Sequence, residues 1–420
     1  MLRKHLGVGL LIVLLFTAVA PAFAQEEVVI RFFHRWPQEP RNSYFAALVK
    51  EFQELYPHVR FEVDYVLNDP YKEKIRVLVS TDELPHIFTS WSYSFAQNLV
   101  SSGRVKELSE FYAENADWAK DIMPAQIDGF KVGDGVYGVP MTIDGKAFFY
   151  NKAIFEKHGL QPPNTTDEFI ALLDQLKALG YDMPIMEGLM DAWAVSHYLG
   201  TIFQRILDPA VMAKDYNPAT GEFTDPGYIK GLEFFRTLTE YMGPIATAID
   251  HETARNMFAA GEVPIVYMQF AEIKMLQRTG FNDFAFFNFP AFPDGKGNPN
   301  GLTGAPEGLM LAHNAPKEAE EFLKFIISYD NMLRFVEADG QFVAIWNCLP
   351  EDLDEVSLAA YNLVLESDEV VPWLDNAVNI TIADIFMRGG QNLAIGVTTP
   401  EEVMAQVQKA AAELRKATNN

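Results

Sequence analysis

The stretch Val136–Gly180 constrains the fold more than any other part of the chain. Gly138 and Pro140 punctuate its approach, and Ala147–Tyr150 is a short apolar, aromatic run suited to a buried strand. Lys152–His158 predicts a helical turn or two, stopped by Gly159. Pro162 and Pro163 forbid helix and hold the chain extended. Thr165 with Glu168 then makes a capping box. Phe169, Leu172, Leu173, Leu176 and Leu179 follow at helical spacing, and Gly180 ends the helix.

The first ninety residues supply the layer that such a unit joins. Val28–Phe33 is an apolar, β-branched strand. Phe45, Leu48, Val49, Phe52 and Leu55 mark an amphipathic helix, with Asn42 or Ser43 as its cap and Pro57 beyond its end. Phe61, Val63 and Tyr65 alternate with Glu62 and Asp64 as a half-buried strand does. Tyr71–Val79 predicts a helix and Ile87–Ser90 a strand. This β-α-β-α-β order implies a parallel sheet. Ligands bind beyond the carboxyl ends of strands in such sheets, where Trp36 and Trp91 stand. Packing within an interface is the other reading of each. His34, beside Trp36, reads as a structural group, because no second His stands at metal-ligand spacing.

Arg3 and Lys4, the apolar run Leu10–Phe16 and the Ala22-Phe23-Ala24 site predict a signal peptide over residues 1–24. No Cys follows that site, so a periplasmic protein without a lipid anchor is expected. The formal net charge of -24 argues against nucleic acid or an anionic membrane as a partner. A single Cys, Cys348, excludes an internal disulfide and a multi-thiolate metal site, and reads as a packed small side chain. Neither a cofactor nor a metal is expected. Nucleophile-elbow, H-E-x-x-H, P-loop and dinucleotide motifs do not occur in the sequence. With 57 acidic residues a glycosidase carboxylate pair could always be nominated, and no spacing picks one.

Several segments carry a resemblance. FFHRWPQEP, ELPHIFTSW, VYGVPMTIDGKAFFYNKAIFEKHGL, MFAAGEVPIVYMQFAEIKML and GLTGAPEGLMLAHNAPKEAEEFLKFII resemble, in this order, the carbohydrate-binding cluster of extracellular solute-binding proteins of ABC importers. His86 departs from the Asp usual in that family's third-strand turn, and Phe270 stands where Trp is commoner. The resemblance implies an α/β, periplasmic-binding-protein-like fold of type II character. Two lobes, each with a mixed, mostly parallel sheet flanked by helices, are joined by hinge crossings. It implies an N-terminal lobe of residues 25–140 and 293–330, and a C-terminal lobe of residues 141–292 and 331–420.

It further implies a sugar held between the lobes of a monomer that docks on ABC permease subunits, without catalysis. Beside Trp36 and Trp91, the implied binding residues are Trp193, Phe270, Glu307 and Trp346; Asp144, just past the first crossing, and Arg388, before Gly389-Gly390, are candidates by their own chemistry, a carboxylate and a guanidinium suited to hydroxyls. Trp373 is a weaker candidate. Tryptophans offer flat apolar faces to pyranose C–H groups, and carboxylates, amides and Arg pair with hydroxyls. Asp144 could instead cap a turn with Gly145, Trp193 could be core, and Glu307 could be a solvated loop charge. Two other functions stay open at this point: a polyamine-binding protein, using cation–π and ion-pair contacts, and a secreted carbohydrate-active hydrolase.

Overall fold

A computed structural model describes residues 26–367 and 370–418. The expected signal peptide lies outside the described residues. Nine strands build two sheets: β1 (Val28–His34), β2 (Val59–Tyr65), β3 (Ile87–Trp91), β4 (Val139–Thr142), β5 (Lys146–Asn151), β6 (Ile185–Met186), β7 (Ile265–Gln269), β8 (Phe284–Phe287) and β9 (Glu307–Leu311). The first sheet has the order β2-β1-β3-β9-β4 and the second β8-β5-β7-β6. Helices flank both, so the fold is the expected α/β, two-lobed one.

The pairing shows where each sheet departs from purely parallel order. β1 runs parallel to β2 and β3, but β9 is antiparallel to both β3 and β4. β5 is antiparallel to β7 and β8, and only β6 runs parallel to β7. In each sheet all strands but one therefore run the same way, β9 being the reversed strand of the first and β5 of the second, which is the mixed, mostly parallel arrangement expected. The reason is connectivity. A strand reached by crossing from the other lobe starts at the shared edge and runs away from it, against strands that end there.

Alternation along the strands fills the cores. Phe32 faces the helices Arg41–Leu55 and Lys317–Ile326, while Phe33 faces the opposite layer with Tyr71, Ile75 and Phe88. Each such buried side chain contributes about 1.5–3 kcal/mol. In the second lobe Phe148, Phe149, Ile265 and Tyr267 pack with the helices Thr166–Ala178, Ala192–Ile206 and Gly227–Met242. The capping box is present: Thr165 Oγ1 accepts from Glu168 N, and Glu168 accepts from Thr165 N. Helix Arg41–Leu55 starts differently from expectation. Pro40 precedes it, and the Glu39 carboxylate, not Asn42 or Ser43, receives a first-turn N–H, that of Ser43. β2 is an edge strand, which leaves Val63 and Tyr65 exposed rather than half-buried. Cys348 is buried in the first core, as expected.

Three passages join the lobes. Met141 belongs to the first core and Ile143 to the second. Leu302 still packs in the second core, and Leu309 in the first. The third passage follows the helix Tyr329–Asp339, whose Met332, Phe335 and Val336 lie in the first core. The bounds read from sequence at 293 and 331 therefore both precede the change in packing. Along the third passage Phe342 and Ala344 enter the second core while Val343 and Ile345 enter the first. A period of two thus splits one extended segment between both lobes. Ala344 N donates to Met141 O at 2.9 Å and Ile143 N to Phe342 O at 3.0 Å, so the first and third passages lie side by side.

Candidate functional site: an indole-walled cavity between the lobes

The cavity of about 200 Å³ lies where the strands of both sheets meet the passages, and four of the six tryptophans line it: Trp36, Trp91, Trp193 and Trp373. On the first wall, Trp36 follows β1 and Trp91 ends β3, as read from sequence. Glu307 opens β9 and lies opposite Trp91 in the antiparallel register, which brings it to the same edge. It is not a solvated charge. Glu307 is buried and accepts from Arg35 Nε at 2.9 Å and also from Arg35 Nη2. Arg35 Nη1 donates to Asn68 Oδ1 at 2.6 Å. The same guanidinium lies 5.0 Å from the Trp36 ring and 5.2 Å from the Trp91 ring. Trp36 also stacks on Phe45 at 5.1 Å. His34 stays structural: it stacks on Phe45 and Tyr65, and burial pushes it down to about 4, so the ring is neutral.

Asp144 sits on the first passage and is both turn cap and cavity wall. Its Oδ1 accepts from Gly145 N at 2.9 Å and Ala271 N at 3.2 Å, and its Oδ2 accepts from Gln269 Nε2 at 3.0 Å. Burial pushes its pKa up to about 7 even though the two backbone N–H groups oppose the shift.

The second wall rests on a chain of buried charges. Lys146 Nζ is 3.3 Å from Glu187, whose other oxygen is 2.5 Å from His251 Nδ1. His251 Nε2 is 2.8 Å from Glu272, which also accepts from Arg255 at 3.1 Å. Burial lowers the His251 pKa, but Glu272 and Glu187 outweigh it and hold the ring at about 9. Burial likewise raises Glu272, yet His251 and Arg255 pull it down to about 2. Trp193 lies over this chain, with Lys146 Nζ 5.2 Å from its ring and His251 edge-on at 4.8 Å. His197, one turn along the same helix, stacks on Trp373 at 3.9 Å. Asp375 accepts from Ser196 Oγ at 2.8 Å and pairs with Lys72, from the first lobe, at 2.7 Å.

Three sequence-derived candidates lie elsewhere. Phe270 is buried against Phe286 and the bare Cα of Gly145. β7 ends at Gln269, and its neighbours Gln269 and Ala271 line the cavity instead. Trp346 is 46% exposed and outside the cavity, one residue beyond the segment Phe342–Ile345 that the two cores bury. Arg388, on the helix Ile380–Ala394, lines a separate surface groove with Asp384 and Asn392. Sequence reasoning missed Arg35, Lys72, His251, Glu272 and Asp375. Their role comes from pairing across long separations, which leaves no local signature.

The family model described as bacterial extracellular solute-binding protein matches residues 36–333, more than half of the 420-residue chain. The chain belongs to that family. This solute-binding protein is 23% identical over 363 residues to an uncharacterized ABC transporter extracellular-binding protein of Pyrococcus horikoshii, covering 84% of this chain and 81% of that one. It is 24% identical over 348 residues to the multiple sugar-binding protein of Streptococcus mutans, covering 76% of each. The solved structure of a chitin oligosaccharide binding protein superposes with a TM-score of 0.84 at 20% identity, over 93% of this chain and 99% of the other. The solute-binding fold thus spans nearly the whole described chain. No helix among the described residues is long and apolar enough to cross a membrane.

Proposed function

We propose that this protein binds a small neutral sugar between its lobes and delivers it to the membrane subunits of an ABC importer, without turning it over. The observation that carries this reading is the cavity wall itself, four indoles interleaved with hydrogen-bonding groups. The names of two similar proteins, a multiple sugar-binding protein and a chitin oligosaccharide binding protein, point the same way. Trp91 and Trp193 supply apolar surface from opposite lobes, and Asp144, Gln269 and Glu307 supply hydrogen bonds to ring hydroxyls. Trp36 and Trp373 complete the walls; Trp346 and Arg388 have no part.

Charge balance favours a sugar over a polyamine. Arg35 is paired with Glu307, Lys72 with Asp375, Arg41 with Asp339, and His251 and Arg255 with Glu272. A polycation would meet these cations and find few uncommitted carboxylates. Sugar stabilises the shut arrangement by contacting both lobes at once, and the three passages are the hinge. Residues 1–24 address the chain to the periplasm, where it works as a monomer. A thermal-shift panel tests the reading. Sugars raise the melting temperature and the effect survives high salt. A shift with polyamines alone overturns it, as do new reducing ends on incubation with oligosaccharides.

A further inference from the structure

The charged groups of the cavity wall are largely paired with one another, and two of its buried polar atoms are not. Among the described residues, the buried Trp36 Nε1 and Gln341 Oε1 both lack any hydrogen-bond partner and both belong to residues on the cavity wall. Trp36 is 2% exposed and Gln341 3%. The other buried side-chain atoms in the same condition, such as those of Thr89, Tyr361 and Asn376, belong to residues that do not line it.

A buried donor or acceptor without a partner is costly, and native proteins keep few of them. Both groups are held in place. The Trp36 ring is fixed between Phe45, at 5.1 Å, and the Arg35 guanidinium, at 5.0 Å. Gln341 follows Gly340, which ends the helix Tyr329–Asp339 at a positive φ of 92°. It precedes the segment Phe342–Ile345 that both lobes share, so it stands on the hinge itself.

We infer that Trp36 Nε1 and Gln341 Oε1 are specificity-determining groups whose missing partners are hydroxyls of the bound ligand. This rests on the sugar-binding reading. Trp36 can only donate, and the Gln341 oxygen can only accept. The ligand must therefore present an acceptor to one and a donor to the other. Hydroxyls serve both roles, whereas an alkylammonium has donors alone and leaves the indole N–H unmet. A hydrogen bond to an unmatched group gains more than one to a group already paired, so these two positions discriminate between stereoisomers more than Arg35 or Lys72 do. Contact with Gln341 also ties ligand to the third passage.

The test is calorimetric titration of wild type, Gln341→Met, Gln341→Glu and Trp36→Phe. The probes are D-glucose, D-galactose, melibiose and raffinose, with monodeoxy derivatives of whichever binds. The inference expects Gln341→Met to bind about tenfold more weakly while the free protein melts at the same temperature or higher, since the lost oxygen had no partner in the fold. One monodeoxy sugar should bind wild type about tenfold more weakly than its parent, yet bind Gln341→Met as well as the parent does. Gln341→Glu, which keeps an acceptor, should restore the discrimination, and Trp36→Phe should erase it for a different hydroxyl. A lowered melting temperature with unchanged affinity in Gln341→Met makes the residue structural and overturns the inference. Equal deoxy penalties in wild type and variants also overturn it, with sugar binding intact. If wild type binds none of these sugars and none raises its melting temperature, the functional reading fails as well.

Discussion

Lys72 Nζ and Asp375 meet at 2.7 Å across the cavity, with side chains 13% and 6% exposed. Lys72 belongs to the helix Asn68–Leu78 of the first lobe and Asp375 to the short helix Leu374–Ala377 of the second. A second tie, Ser94 Oγ to Val378 O at 2.9 Å, lies beside it. A charged hydrogen bond of this kind contributes about 1.5–3 kcal/mol. Lys72→Met should shift the open–shut balance of the free protein roughly ten- to a hundredfold toward open. Small-angle scattering checks this: the radius of gyration should rise without ligand and return toward the wild-type value at saturating sugar.

Asp144 should make stability fall with rising pH. Its folded pKa of about 7 lies above the ordinary 3.8, so the folded state holds a proton that the unfolded state has released between those values. Stability is therefore highest below pH 4 for this group and declines until about pH 7. Asp144→Asn should be the more stable protein at pH 8, by at most about 4 kcal/mol, and gain nothing at pH 4. Urea unfolding at the two pH values measures it. The same variant should bind sugar more weakly.

His251 has the opposite sign. Its pKa is raised to about 9, so its ion pairs stabilise fully below its ordinary 6.5 and are lost as pH rises through 9. The stability difference between wild type and His251→Gln should shrink by about 3 kcal/mol from pH 6 to pH 10. Trp193 touches this ring at 4.8 Å, so its fluorescence should titrate over the same range in wild type and not in the variant.

Gly304 allows two passages to touch. A Cβ there would stand 2.0 Å from the Asp144 carbonyl oxygen, a backbone atom that cannot turn aside. Gly304→Ala should cost about 3 kcal/mol or more and weaken sugar binding together with it, because the passages must part. Thermal unfolding and titration of one preparation check both.

Much of the architecture was legible because it rests on local chemistry. The Thr165–Glu168 capping box, the Gly159 stop and the alternation of Phe32 and Phe33 are written in adjacent residues. Trp36 and Trp91 were placed by one rule, that parallel strands end where ligands sit. The lobe bounds were less legible, since residues 293–302 and 329–339 declare their partners only by packing. Phe270 was misplaced by one residue of strand alternation, and Trp346 rested on resemblance and Arg388 on its guanidinium chemistry, with no periodicity to hold either. The ion pairs of Arg35 with Glu307 and of His251 with Glu187 span 272 and 64 residues, beyond the reach of any motif.

Sugar seated between the lobes is the central claim, and a crystal structure with the sugar that most raises the melting temperature tests it most directly. The account predicts one ring in the cavity, flanked by Trp91 and Trp193, with a hydroxyl within hydrogen-bond distance of Asp144. Sugar bound on the outer surface, or a cavity holding water alone at saturating sugar, would contradict it.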